Sequence, residues 1–372
     1  MAERELFFDR LRSVLTACVI LHHCAITYGA SGGWFYYERH FDGTPSSLFL
    51  TIFTGTQQAY FMGFFFLLSG YFTASSLDRK GAGRFLADRF LRLGLPLLGF
   101  ILLLGPLTAA IVEGATGGSF WGTFVWLWHH QRIINGPLWF AEALLIFSLL
   151  FCGWRAVVPA ATIRPKQEKI PGFFWWMASA VAVGAGSLLL RQWIPVGKNV
   201  FGLQLGFFCS YVFLFFLGIV ARRRDWIAQL TWKQARWPFV VSMVVFPVLW
   251  LTCGLFQAAH PQQALHLEGG LSFPAIVYAF WEPLFAWGVI AALLVGFRRW
   301  LNRPSPLWNW LDRRAYAVYV IHPLVLVGMA LLLHGWTAAP VVKFGVVGGL
   351  ACVCCWLLAD PLVRLPGLRR IL

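Results

Sequence analysis

Long apolar runs set the terms on which this chain can fold. A helical crossing of a bilayer needs about 20 mostly apolar residues, and the sequence holds roughly ten such stretches by that measure. They are 12–30, 57–76, 93–113, 138–156, 172–190, 202–220, 237–257, 273–297, 315–333 and 341–359. Composition agrees with them. Of 372 residues, 59% are in the hydrophobic set and only 12% are charged, too little charge to cover so large a core in water. A soluble enzyme, a disordered chain and a collagen-like chain are excluded on that ground. The expected fold is all-α: a polytopic integral membrane protein of about ten transmembrane helices, forming a single membrane domain over residues 1–372.

Charge placement tests the span count. An even number of crossings puts both termini on one side, and a cytoplasmic N-terminus assigns 25 of the 30 basic residues to the cytoplasm. These lie in six short segments, which include Arg4, Arg10 and Arg12, Arg79 to Arg92, Arg164 and Lys166, and Arg222 to Arg236. The other side keeps Arg39, Arg132, Arg191, Lys198 and Lys343. Such a split is the positive-inside bias of membrane proteins. It also removes nucleic acid as a partner, because the net charge of +15 is dispersed along the chain and forms no single basic patch.

The basic N-terminal region leads into the first span with no small-residue cleavage site behind it, so no cleaved leader is expected. The eight cysteines lie in or beside apolar runs without a CxxC spacing, which suits buried packing thiols better than a metal or redox site. No metal is expected. The longest outward segments are 31–56 and 114–137. The second, rich in Trp and His, is too polar to cross and reads as an interfacial helix or a partly re-entrant loop.

Ionisable groups inside spans are costly unless they face a partner or a cavity. Four positions stand out: the adjacent His22 and His23 in span one, Glu142 in span four, Glu282 in span eight and His322 in span nine, followed by Pro323. His23 lies about 16 Å beyond Arg12 along a helix, near mid-span. Neighbouring histidines point about 100° apart, so one site is served by one of them. A buried imidazole suits general-base chemistry. The same histidines could serve as hydrogen-bonding links between helices, and the two glutamates as protonated packing residues.

The stretch from Phe64 to Leu98 ends a span in the small residues Ser69 and Gly70, which permit close helix approach. A basic segment with Arg84, Arg89 and Arg92 follows, and then Pro96. Arg89 and Arg92 share one helical face, where paired guanidinium groups can grip phosphate. Anchoring to anionic lipid is the other use of such a face. Neither a Walker loop nor a dinucleotide fingerprint is present.

These residues resemble the integral membrane acyltransferase type 3 family, whose members acylate glycans, lipids and related acceptors. The shared pattern includes Arg12 with His23 eleven positions later, the FF-x-LSGY stretch from Phe65 to Tyr71, and Arg89, Arg92 and Pro96. The PLWF stretch from Pro137 leading to Glu142, and YAVYVIHPLVL from Tyr316 to Leu326, also match. The segment from roughly 155 to 270 matches in hydropathy only. The opening residues and the RFLRLGLPLL run look closest to the branch that includes periplasmic glucan succinyltransferases.

The resemblance implies acyl transfer from a cytoplasmic acyl-coenzyme A, acetyl or succinyl, to a hydroxyl of a glycan or lipid-linked acceptor at a bacterial inner membrane. His23, selected over His22 by its spacing from Arg12, is implied as the general base or a transient acyl carrier. Arg12, Arg89 and Arg92 are implied at the cofactor phosphates, and Glu142, Glu282 and His322 around the inner cavity. Trp34, Trp126 and Trp128 could stack on sugar rings or anchor at the interface. The rival reading is a transporter or flippase for a glycan, lipid or acidic solute, which ten helices with buried ionisable groups also suit.

Overall fold

The computed structural model describes residues 5–158 and 168–372. Arg4, Arg164 and Lys166, used above in the charge assignment, lie outside the described residues. Those described are helical apart from turns, loops and two isolated β-bridges. The main helices are α1 (Leu6–Thr27), α2 (Pro45–Lys80), α3 (Ala82–Ala115), α4 (Phe120–His129), α5 (Gly136–Val157) and α6 (Phe173–Leu190). They continue with α7 (Leu205–Arg223), α8 (Trp232–Ala259), α9 (Phe273–Trp300), α10 (Pro306–Asp312), α11 (Ala315–Leu332) and α12 (Pro340–Arg364).

Among the described residues, nine helices are long and apolar enough to cross a membrane: all of these except α1, α4 and α10. The chain is a multi-pass membrane protein. The first expected span is α1, a 22-residue helix. It is absent from the nine because Asp9, Arg10 and Arg12 at its start and the histidine pair near its end dilute its apolar content. One boundary moves substantially. α2 begins at Pro45, well before the expected 57, since Pro45 suits a first helical turn and an apolar run follows it. The expected outward segment 114–137 contains α4, capped by the Ser119 hydroxyl on the Gly122 amide at 3.0 Å.

The chain divides into two compact units. The first comprises Met1–Phe8, Gln58–Ala82 and Phe151–Arg303. Glycines bring its helices into close contact. A Cβ on Gly70 of α2 would lie 2.0 Å from the Phe215 carbonyl oxygen, and one on Gly218 of α7 would lie 2.1 Å from that of Leu67. Backbone thus packs on backbone, as the small residues at the end of span two suggest. α8 opens with a reciprocal cap between Thr231 and Gln234 and leaves Val244, Leu251 and Leu255 exposed. Such an apolar outer face belongs against lipid.

The second unit comprises Asp9–Gln57, Gly83–Leu150 and Pro304–Leu372. Its core joins α1, the loop after it, α11 and α12 through Ile20, Cys24, Tyr28, Val318, Leu326 and Val347, among others. α3 is one continuous helix, basic at its start and apolar beyond, with two π-helical stretches, Phe90–Gly94 and Phe100–Leu104. Each precedes a proline, Pro96 or Pro106. A proline has no amide hydrogen and its ring crowds the carbonyl one turn earlier, so the wider turn relieves the clash. The Arg92 carbonyl, in the first π turn, accepts the Tyr316 hydroxyl at 2.6 Å.

Candidate active site

Three side chains of the second unit, His23 of α1, Trp34 of the following loop and His322 of α11, stack together. The His23 ring lies face to face with the Trp34 indole, with centroids 3.8 Å apart and planes at 12°. It is also nearly parallel to the His322 imidazole, at 5.5 Å and 14°. Trp34 and His322 are 6.0 Å apart and again nearly parallel. His322 is fully buried, whereas His23 and Trp34 keep part of their surface open. His23 Nδ1, Trp34 Nε1 and His322 Nε2 are buried without a hydrogen-bond partner among the described residues. Polar atoms in an apolar interior are costly to leave unmet, so this clustering marks a place suited to a polar group.

His22 faces other surroundings. Its ring stands perpendicular to that of His23, and it shares a hydrogen bond with the Gln57 side chain. Of the two neighbours, His23 is therefore the one that stacks against His322.

A short loop delivers Trp34. The amides of Glu38 and Arg39 return to the Thr27 carbonyl at the end of α1, which closes the loop at its base. The Trp34 amide donates to the Tyr37 hydroxyl at 2.7 Å, and that hydroxyl donates to the Gly32 carbonyl at 3.2 Å. Gly32 has φ +151° and lies so near Ile26 that a Cβ would fall 2.7 Å from its side chain. Lys343 of α12 reaches back to the Glu38 carboxylate and to the His334 carbonyl, pinning the far side of the loop. Further out, the Thr44 hydroxyl and the Arg39 guanidinium hold the Asp42 carboxyl well below the usual carboxylate range.

Glu142 sits in the first α-helical turn of α5, which begins at Trp139 after the 3-10 turn Gly136–Leu138, and it accepts the Asn135 amide at 2.7 Å. The same helix start is tied to α11 by the Tyr319 hydroxyl, which donates to the Pro137 carbonyl. Arg12 is half-exposed and 3.0 Å from Asp9, while Arg89 lies over the Phe85 ring at 5.0 Å. Arg92 is exposed within the first π turn. A π turn, Phe90–Gly94, begins directly after Arg89 and contains Arg92.

Glu282 belongs to the first unit, where it is 3% exposed and forms a buried ion pair with Arg191. Arg191 also donates from Nε to the Gly206 carbonyl at 3.0 Å and lies against the Tyr278 and Phe207 rings. Arg191 and Asn135 escape a reading of the sequence because their partners are set by tertiary contact. Trp34 carried a signal as an outward aromatic, but nothing in its loop points to His23. Trp126 and Trp128 are both exposed on α4.

Two stacked imidazoles with unmet nitrogens can accept, hold and pass on a proton, and a ring nitrogen can act as a nucleophile. No group of three or more His, Cys, Asp or Glu residues among those described is arranged to hold a metal ion.

Comparison with known proteins now bears on this geometry. A family profile described as "Acyltransferase domain" (acyltransferase 3) matches residues 5–360. The chain is similar to "Glucans biosynthesis protein C" of Shigella dysenteriae serotype 1 (strain Sd197), 31% identical over 163 residues, covering 41% of this chain and 39% of that protein. It is also similar to the protein of the same name from Escherichia coli (strain K12), 34% identical over 103 residues, covering 28% of this chain and 25% of that protein. The matches thus span less than half the length of these relatives. No solved structure matches. With the profile extending over nearly the whole chain, and its histidine-bearing helices inside that match, the protein belongs to the acyltransferase 3 family of membrane proteins.

Proposed function

We propose that this protein is an O-acyltransferase that moves an acetyl or succinyl group from acyl-coenzyme A to a hydroxyl of a glycan or lipid-linked acceptor. The observation that carries the reading is the His23–Trp34–His322 stack with its unmet ring nitrogens. In the direct route, His23 removes the acceptor proton as the hydroxyl oxygen attacks the thioester carbonyl carbon. The C–O bond forms, the C–S bond breaks, and the leaving thiolate takes up the proton. In the two-step route, a His23 nitrogen attacks the thioester carbonyl carbon, the C–N bond forms and the C–S bond breaks to release the thiolate. The acceptor oxygen then attacks that carbon, the C–N bond breaks, and the hydroxyl proton passes to the thiolate.

Arg12, Arg89 and Arg92 would hold the phosphates of the acyl donor. Their guanidinium groups suit a polyanion, and the exposed Arg92 is accessible to one. His322 and Glu142 would orient the reacting groups. Glu282, held by Arg191, would serve as a fixed polar support. We read the chain as one membrane domain in a bacterial inner membrane, with α1 as a tenth crossing and both termini cytoplasmic, because that arrangement groups the basic segments.

The test is mass spectrometry of cell-envelope glycans and lipids with and without the protein. Loss of a single acetyl or succinyl increment is the expected result. Loss of a whole surface glycan, with acylation intact on what remains, would instead support the transporter reading.

A further inference from the structure

α11 runs through Pro323 without breaking. Because proline has no amide hydrogen, the carbonyl one turn earlier, that of Tyr319, has no donor from the helix. His322, the residue before the proline, supplies one: its Nδ1 lies 2.7 Å from the Tyr319 oxygen. A carbonyl oxygen only accepts, so the hydrogen of this contact resides on Nδ1. In the neutral imidazole the other nitrogen, Nε2, then carries the lone pair. Nε2 is buried, has no partner among the described residues, and belongs to the ring stacked beside His23.

The surroundings hold this arrangement in place. The Tyr319 hydroxyl is tied to the Pro137 carbonyl, and its ring lies 5.9 Å from the His322 ring, planes 30° apart.

We propose that Pro323 is a positioning residue that fixes the tautomer of His322. By leaving the Tyr319 carbonyl to Nδ1–H, it presents Nε2 as a hydrogen-bond acceptor to a ligand hydroxyl next to His23. The identity of that hydroxyl, an acyl acceptor, rests on the acyltransferase reading; the tautomer does not. Pro323→Ala returns an amide hydrogen to the Tyr319 carbonyl, which then competes with Nδ1–H, and His322 can turn a donor toward the site.

The test uses the full chain, with ¹⁵N-labelled histidine, in lipid nanodiscs. Nitrogen chemical shifts distinguish the two tautomers, and comparison with His322→Gln identifies the His322 signals. At neutral pH the wild-type protein should show His322 protonated at Nδ1 and unprotonated at Nε2. Pro323→Ala should shift population toward the Nε2–H tautomer and lower kcat/KM for the acceptor roughly five- to tenfold, the range of one lost hydrogen bond. A wild-type His322 protonated at Nε2 would overturn the proposal, as would a tautomer unchanged by Pro323→Ala. Should that variant fail to fold, the wild-type spectrum alone decides. Absence of acyl transfer would sink the acyltransferase reading and leave the spectrum to judge the role of Pro323.

Discussion

Each unit buries polar groups within helices of a membrane protein, but the two treat them differently. In the first, Arg191 and Glu282 neutralise each other, and the guanidinium also reaches the Gly206 carbonyl. In the second, His23, Trp34 and His322 stack while each keeps a buried nitrogen unmet. A buried charge pair offsets much of its own burial cost, although Arg191 Nη1 stays without a partner among the described residues. Imidazoles that each keep one ring nitrogen unmet, beside an aromatic ring that shields them, are arranged to meet something else. The contrast is between a charge pair and a set of stacked rings with unmet nitrogens.

The largest expected effect tests that contrast directly. His23→Ala should lower acyl transfer by about 10²- to 10⁴-fold, the range for loss of a general base, with helix content and melting temperature close to wild type. Equal activity in His23→Ala and wild-type membranes would reverse the roles assigned to the two clusters. For the first unit the effect belongs to stability. Arg191→Met strands Glu282 without a countercharge and should destabilise the protein by about 3–5 kcal/mol. Adding Glu282→Leu should recover most of that loss, measured by thermal unfolding in detergent. No recovery in the double variant would mean that the pair does more than neutralise itself.

A smaller effect concerns packing. Gly70→Leu places a side chain where the Phe215 backbone already lies, and about 1–3 kcal/mol of stability should be lost. Smaller still, Arg92→Ala should raise the KM for the acyl donor several-fold with kcat little changed, since the group lies at the surface. An unchanged dependence on donor concentration would remove Arg92 from the phosphate grip.

The smallest expected effect is on the loop that carries Trp34. The Asp42 carboxyl is held below its ordinary value, so its support is present above pH of about 4 and fades as acid protonates it. Hydrogen exchange across 31–42, taken relative to the intrinsic rate at each pH, should therefore rise at low pH in the wild-type protein and stay level in Asp42→Asn.

The apolar runs made most of the helices legible, because a lipid-spanning segment must satisfy its backbone internally and has one economical way to do so. Glu142, Glu282 and His322 were legible for the related reason that ionisable groups are scarce in such runs. Boundaries were less so. α2 starts early because residues 45–56 are apolar enough to extend a helix but too few to count as a crossing of their own. The π turns of α3 follow from Pro96 and Pro106, yet where the ladder widens depends on the carbonyls the prolines displace. Preference for His23 over His22 came from spacing to Arg12; the structure adds a separate reason, since His23 stacks on Trp34 and His322 while His22 shares a bond with Gln57.

The sequence by itself determined the membrane class, the order of the helices and the short set of polar residues from which a site could be drawn. These depend on local quantities: the length of an apolar run, the placement of charge, the residue before a proline. Only the tertiary structure decided which polar residues meet. Arg191 and Glu282 are 91 positions apart. The loop bearing Trp34 is pinned by Lys343, which lies 305 positions from Glu38. Such partners are selected by the packing of whole helices, in which each residue's surroundings come from distant parts of the chain, and no local pattern encodes that.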